Sequence, residues 1–141
     1  MFYIIKSKIF ILFVSFFLFH PLTSLSHDDH GKMVEAIKPY PEIKVDLINL
    51  YSPDFKLEFN IKNFKLIALE ENSNRNKNEG HILILVNNKK KIMVTDDTFV
   101  LKRSLLKKGK NEIFVMLMDS HHSLYTKEGS IIYVSKRIYN K

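Results

Sequence analysis

With six histidines and no cysteine, this 141-residue chain has a narrow choice of metal ligands. Any metal centre would have to use imidazole, carboxylate, thioether or a terminal amine. His27, His30 and Met33 stand close together in the stretch His27-Asp28-Asp29-His30-Gly31-Lys32-Met33. Two imidazoles and a thioether suit copper in an oxidising compartment, and the imidazoles suit zinc as well. If His27 is the first residue of a processed chain, its α-amine, with an ordinary pKa of about 7.7–8.0, is partly deprotonated near neutral pH and can chelate together with its ring. The bland alternative is a polar tail whose histidines bind nothing.

A second constellation comprises His81, at the mouth of one apolar run, and His121-His122, just after another. If 80–86 and 111–118 are neighbouring antiparallel strands, the start of one lies beside the end of the other, and His81 meets His122 or His121. A tail carrying His30 and Met33 could then close over that end and bring the ligand number to three or four. Against this stands the structural alternative, a strand-mouth histidine that hydrogen-bonds a loop carbonyl. Met93, Met116 and Met118 offer thioethers for Cu(I), but Met116 and Met118 share a face with Phe114, a pattern of core packing. Catalytic arrangements are missing from the sequence: it has no G-x-S-x-G elbow, no H-E-x-x-H helix and no thiol nucleophile, and Asp96-Asp97 reads as a turn pair. The chain is not read as an enzyme.

The elements that position these residues begin with a leader. Lys6 and Lys8 precede an apolar run from Ile9 to Phe19, Pro21 follows, and Ser24-Leu25-Ser26 supplies small residues for cleavage. This predicts a signal peptide over 1–26 and a periplasmic or secreted product that starts at His27. A run of 11 residues is about half of the roughly 20 that span a bilayer, so no integral membrane anchor is expected after cleavage. Without Lys6 and Lys8 the chain holds 20 basic and 15 acidic residues, a modest net charge of +5. Lys89-Lys90-Lys91 and Lys107-Lys108-Lys110 fall in predicted turns, with no aromatic ladder or Arg-rich helix beside them, and so read as solvated edge residues rather than a nucleic-acid surface.

The remaining 115 residues suit one domain with a single core, and without cysteine that core must stabilise it unaided. Residues 27–42, with Pro39 and Pro41, read as a flexible tail. From Ile43 the period is two: Ile43, Val45 and Leu47 alternate with polar residues, as do Phe55, Leu57, Phe59 and Ile61. Residues 71–79 contain no apolar side chain and predict a surface loop with a mobile tip. Residues 82–86, apolar on both faces, predict a central strand, and Asn87-Asn88 a two-residue hairpin loop. Ile113, Val115 and Leu117 face one side of the next long strand. About seven strands over 43–141 predict an all-β, immunoglobulin-like β-sandwich.

Three segments carry a resemblance: His30-Gly31-Lys32-Met33, Gly80-His81-Ile82-Leu83-Ile84-Leu85-Val86-Asn87-Asn88, and Leu106 to Ile113 continuing to Ser120-His121-His122. They resemble small exported bacterial all-β proteins of unassigned activity that show an H-G-x-M tail, a G-H-x-H-L-x-V-D-G hairpin and a later N-D-H motif. Asn63-Phe64 matches an N-F-x-F segment of the same proteins. Here Leu83 replaces the second strand histidine, Asn88 the turn glycine and His121 an acidic residue. The resemblance implies an exported all-β domain and no particular activity. The expected function is binding of copper or zinc through His27, His30, Met33, His81 and His122. The alternative, from another class, is a metal-free recognition module that docks a protein partner or envelope component.

Overall fold

The computed structural model describes residues 32–141 except residue 75. The expected signal peptide, His27 and His30 lie outside the described residues. Among those described, no helix is long and apolar enough to cross a membrane.

The domain is an all-β sandwich of two sheets. Strands β2 (Glu42–Asn49) and β3 (Phe55–Lys62) pair antiparallel over their full lengths, and β3 also pairs with β7 (Thr98–Leu101), giving a three-stranded sheet in the order β2-β3-β7. Alternation explains why these segments are strands: Ile43, Val45, Leu57 and Phe59 are buried, whereas Lys44, Asp46 and Asn60 face water. The second sheet is built on β5 (Glu79–Val86) and β8 (Gly109–Met118), antiparallel with His81 opposite Met118 and Val86 opposite Ile113. Outside this pair lie β6 (Lys90–Val94) along β5 and β11 (Tyr133–Asn140) along β8. Facing side chains of both sheets form one core, in which Leu57, Leu101, Ile82, Ile84, Ile113, Val115 and Leu117 are fully buried. Burying each such side chain contributes roughly 1.5–3 kcal/mol relative to leaving it in water.

Four shorter strands complete the second sheet. β1 (Met33–Glu35) pairs parallel with β9 (Leu124–Lys127), β10 (Ser130–Ile131) turns back on β9, and β4 (Lys65–Leu66) lies parallel to the start of β5. Strand β1 corrects the reading of 27–42 as a flexible tail: from Met33 the chain belongs to the sheet, and Ala36 is buried in the core. A three-residue strand leaves no periodic apolar signature, and its partner lies some 90 residues away along the chain.

The loop before β5 also departs from expectation. Ser73 and Glu79 are buried, and the segment is fastened at several points. Ser73 and Ser120 exchange hydrogen bonds, with Ser73 N–H donating to Ser120 Oγ at 2.7 Å and Ser120 N–H to Ser73 Oγ at 3.1 Å. Asn74 N–H donates to Glu79 Oε1 at 2.7 Å. The Asn78 side chain mimics a strand edge, accepting from Ile37 N–H at 2.9 Å and donating to Ile37 O at 2.8 Å. A polar composition predicted the surface position of this loop but not its anchors. The asparagine hairpin holds: Asn87 and Asn88 adopt φ of 52° and 55°, and Lys89 N–H closes the turn on Val86 O at 3.0 Å. Val86 pairs with Lys90, so three residues rather than two separate the paired positions.

At Gly80 the chain passes so close to β8 that a Cβ would lie 2.0 Å from the Met118 carbonyl oxygen. Because that atom is backbone, the clash is relieved only by moving a strand. Gly80→Ala should therefore cost about 3 kcal/mol in a urea unfolding titration. A variant within about 0.5 kcal/mol of the parent would show that β5 and β8 can part at this end without penalty.

Candidate functional site

The end of the sandwich where β5 begins and β8 finishes separates the three described histidines. His81 is 1% exposed, and its Nδ1 lies 3.1 Å from the Ile67 carbonyl oxygen. A carbonyl only accepts, so Nδ1 carries the proton and the ring is held in one tautomer. Beyond Met118 the chain enters a tight turn around Asp119, itself 1% exposed. Asp119 Oδ1 accepts the N–H groups of His121 at 2.9 Å and Ser123 at 2.8 Å, while Asp119 N–H donates to Ser123 O at 2.9 Å. These bonds satisfy the turn internally and leave His121 and His122 exposed, with His122 at φ 61°. His81 thus sits inside and the His121-His122 pair outside. Met33 is 64% exposed on β1, opposite Leu124. Among the described residues, no three His, Cys, Asp or Glu side chains converge as a metal site.

Tyr125 seals the same end from within. Its hydroxyl donates to Glu79 O at 3.0 Å, and its ring meets Phe64 edge-on at a centroid distance of 5.3 Å. Burial pushes its phenol pKa up, and the neighbouring charges of Asp119 and Glu79 push the same way against the hydrogen bond to the Glu79 backbone. The opposite end is closed by asparagines that sequence reasoning missed. Asn111, fully buried, accepts from Asn87 Nδ2 at 2.8 Å and Lys107 N–H at 2.9 Å and donates to Lys107 O at 2.8 Å and Gly109 O at 2.9 Å. With these bonds both the oxygen and the nitrogen of the amide are used, so the group buries without an orphaned atom.

The outward faces of the two sheets differ in chemistry. On the three-stranded sheet, Lys44, Asp46, Lys56, Glu58, Asn60 and Thr98 point away from the core, with the exposed Ile48 and Val100 on either side of Lys56. A cleft of about 640 Å³ beside it is lined by Asp46, Glu58, Asp97, Phe59 and Phe64, and Lys56 Nζ lies 2.7 Å from Glu58. On the other sheet the outward residues form apolar rows across the strands. Met93, Leu83, Met116 and Tyr133 occupy one row, and Leu85 and Phe114 stand side by side in the next. Phe114 and Tyr133 have ring centroids 6.0 Å apart. Tyr133 is 55% exposed, while Leu85, Met93, Phe114 and Met116 are half-buried by one another. Lys91 flanks these rows on β6, with Glu112 and Arg137 paired below them. The continuous apolar character of 82–86 and 113–118 was the sequence signal, but it marked central strands and did not distinguish a covered outer face from an open one.

A comparison of the chain with protein-family models, curated proteins and solved structures gave no match.

One carboxylate fastens β1 to the sheet. Glu35 accepts from Thr126 Oγ1 at 2.6 Å and from the N–H groups of Glu128 and Gly129, which stand at positive φ in the β9–β10 turn. The Thr126 bond, followed by the two backbone bonds, holds its pKa below the ordinary carboxylate value even though partial desolvation acts the other way. A depressed pKa stabilises the folded form above the ordinary value of about 4.3 and ceases to do so as pH falls through the lowered one. The difference in thermal midpoint between the parent and Glu35→Gln should therefore be present near neutral pH and shrink steadily below about pH 4.3. A difference that stays constant down to pH 3 would remove the carboxylate from the attachment of β1.

Proposed function

We propose that this chain is an exported recognition module of immunoglobulin-like kind, which docks a protein partner through the outward face of the β6-β5-β8-β11 sheet. The observation that carries this reading is the outward apolar cluster of this sheet, Leu85, Met93, Phe114, Met116 and Tyr133 around a buried Leu83, against a three-stranded sheet whose outward lysine, aspartate and glutamate are interrupted by Ile48 and Val100 at one end. Soluble domains seldom leave a contiguous apolar surface uncovered unless something binds there, and flat faces rich in aromatic side chains and Met are typical of interface centres. The strand order supports the immunoglobulin-like reading, since β3 lies between β2 and β7, and β5 and β8 lie between β6 and β11. The leader-like sequence of residues 1–26 supports export to the periplasm or beyond the cell, where an envelope protein is the natural class of partner.

Charge refines the partner. Lys91 and Arg137 border the apolar rows from opposite sides, and Glu112 stands directly across from Arg137. Two cations border the rows against one carboxylate, so the reading favours a partner with an apolar centre and a carboxylate fringe.

A photo-crosslinking side chain placed at Tyr133 in exporting cells should give a discrete protein adduct, whereas the same group at Lys44, on the polar sheet, should give none. Phe114→Ala should lower the Tyr133-site adduct about tenfold, the scale of an interface hot spot, without unfolding the domain. Equal adducts from both faces, or none from either, would contradict the docking reading.

A further inference from the structure

We propose that the end of the sandwich closed by Asn111 carries a binding site for a phosphate group, held by Lys89, Lys90 and Lys107. The two lysine clusters lie apart in the sequence, and the fold brings them together. Asn111 Oδ1 accepts both from Asn87 Nδ2 at 2.8 Å and from Lys107 N–H at 2.9 Å, so one buried amide fastens the asparagine hairpin to the turn before β8. Asn87 N–H donates to Glu112 O at 2.8 Å, and Glu112 N–H donates back to Asn87 Oδ1 at 2.9 Å. Lys107 O accepts from Asn111 Nδ2 at 2.8 Å and from Asn140 Nδ2 at 3.3 Å. The backbones that carry the lysines are therefore fixed before any ligand arrives.

Between the hairpin and the 104–107 segment lies a cleft of about 330 Å³. Its polar lining is Asn87, Lys89, Lys90, Ser104 and Lys107, and the rest is aliphatic, so no carboxylate competes for the lysines inside it. Lys90 shares the side of β6 from which Ile92 and Val94 pack on the core, which sets it at the mouth between the sheets and not on the outward face. Among the described residues, none of the three lysines is held in an ion pair. The nearest carboxylates are engaged elsewhere: Asp54 accepts from Arg103 N–H at 2.9 Å, and Glu112 stands on the outward face in line with Phe114. A concave, low-dielectric surface lined by one sign of charge focuses its potential on whatever enters. An ammonium binds phosphate as a point charge, and several around one cleft match a phosphate group, with about two negative charges near neutral pH, better than a carboxylate with one. The Ser104 hydroxyl, exposed at the rim, supplies a further donor. The aliphatic lining accommodates the ester that carries the phosphate, which a soluble phosphate compound and a lipid headgroup present alike. The inference is independent of the docking face, because none of its residues lies in the apolar rows.

Two probes test the site on the full exported chain. One is inorganic pyrophosphate, followed by amide chemical shifts; the other is vesicles of phosphatidylglycerol and phosphatidylcholine in equal parts, followed by co-sedimentation. The parent should bind at least one of them saturably, and in pyrophosphate the largest shifts should fall on Lys89, Lys90, Ser104 and Lys107. Lys90→Gln/Lys107→Gln should weaken that binding about tenfold or more, whereas Lys44→Gln/Lys62→Gln, which removes the same charge from the other sheet, should change it less than about twofold. All four lysines are exposed, so both double variants should melt like the parent. Saturation by pyrophosphate assigns the site to soluble phosphate compounds, and binding to vesicles alone assigns it to lipid headgroups. If neither probe binds saturably, or if the cleft variant binds no worse than the charge-matched one, the proposal is overturned.

Discussion

The structure depends on one close approach. At Gly80 the backbone of β5 lies against the Met118 carbonyl of β8, nearer than any side chain would permit. Met118 is also the residue through which β8 reaches β9, so this contact joins three strands at one end of the sandwich. From it follow the enclosure of His81, the direction in which the chain leaves β8, and the position of the Asp119 turn. Because β5 is buried along almost its whole length, the pair it makes with β8 is the frame on which the outer strands are laid.

Side chains, more than turns, finish the two ends. At one, Asp119, the Ser73–Ser120 pair and Tyr125 satisfy the loop backbone; at the other, Asn111, Asn87 and Asn140 do so. A domain without cysteine must stabilise long loops in this way or leave them to water. A buried polar atom left without a partner costs about 1–3 kcal/mol, so each of these groups is worth more to the fold than its net hydrogen-bond energy suggests. The result is a body whose two ends are closed by side-chain hydrogen bonds.

Much of the core was legible in the sequence because it follows a simple period. Alternation placed Ile43, Val45, Leu57 and Phe59 inside, and the face shared by Ile113, Val115 and Leu117 proved fully buried. Asn87 and Asn88 announced their own turn, since few other residues accept positive φ twice in succession. What stayed hidden depended on partners far apart in sequence. Met33–Glu35 became a strand through one carboxylate and a parallel neighbour, neither of which leaves a local pattern. His81 and His122 flank similar apolar runs, yet one is enclosed and the other exposed, because the Asp119 turn reverses the chain before the second can fold inward. The loop at 71–79 read as free because its anchors are serine, asparagine and glutamate, residues equally common in loops that have none.

Amide hydrogen exchange followed residue by residue tests most directly whether the β5–β8 frame governs the loops attached to it. Amides of Ile82, Ile84, Val115 and Leu117 should exchange only with global unfolding, and those of Ser73, Asn74 and Ser123, each bonded to a side chain, should be slowed at least about tenfold relative to an unstructured peptide. Free-peptide exchange at Ser73, Asn74 and Ser123, with β5 and β8 still protected, would contradict the account, because the loops would then move independently of the frame.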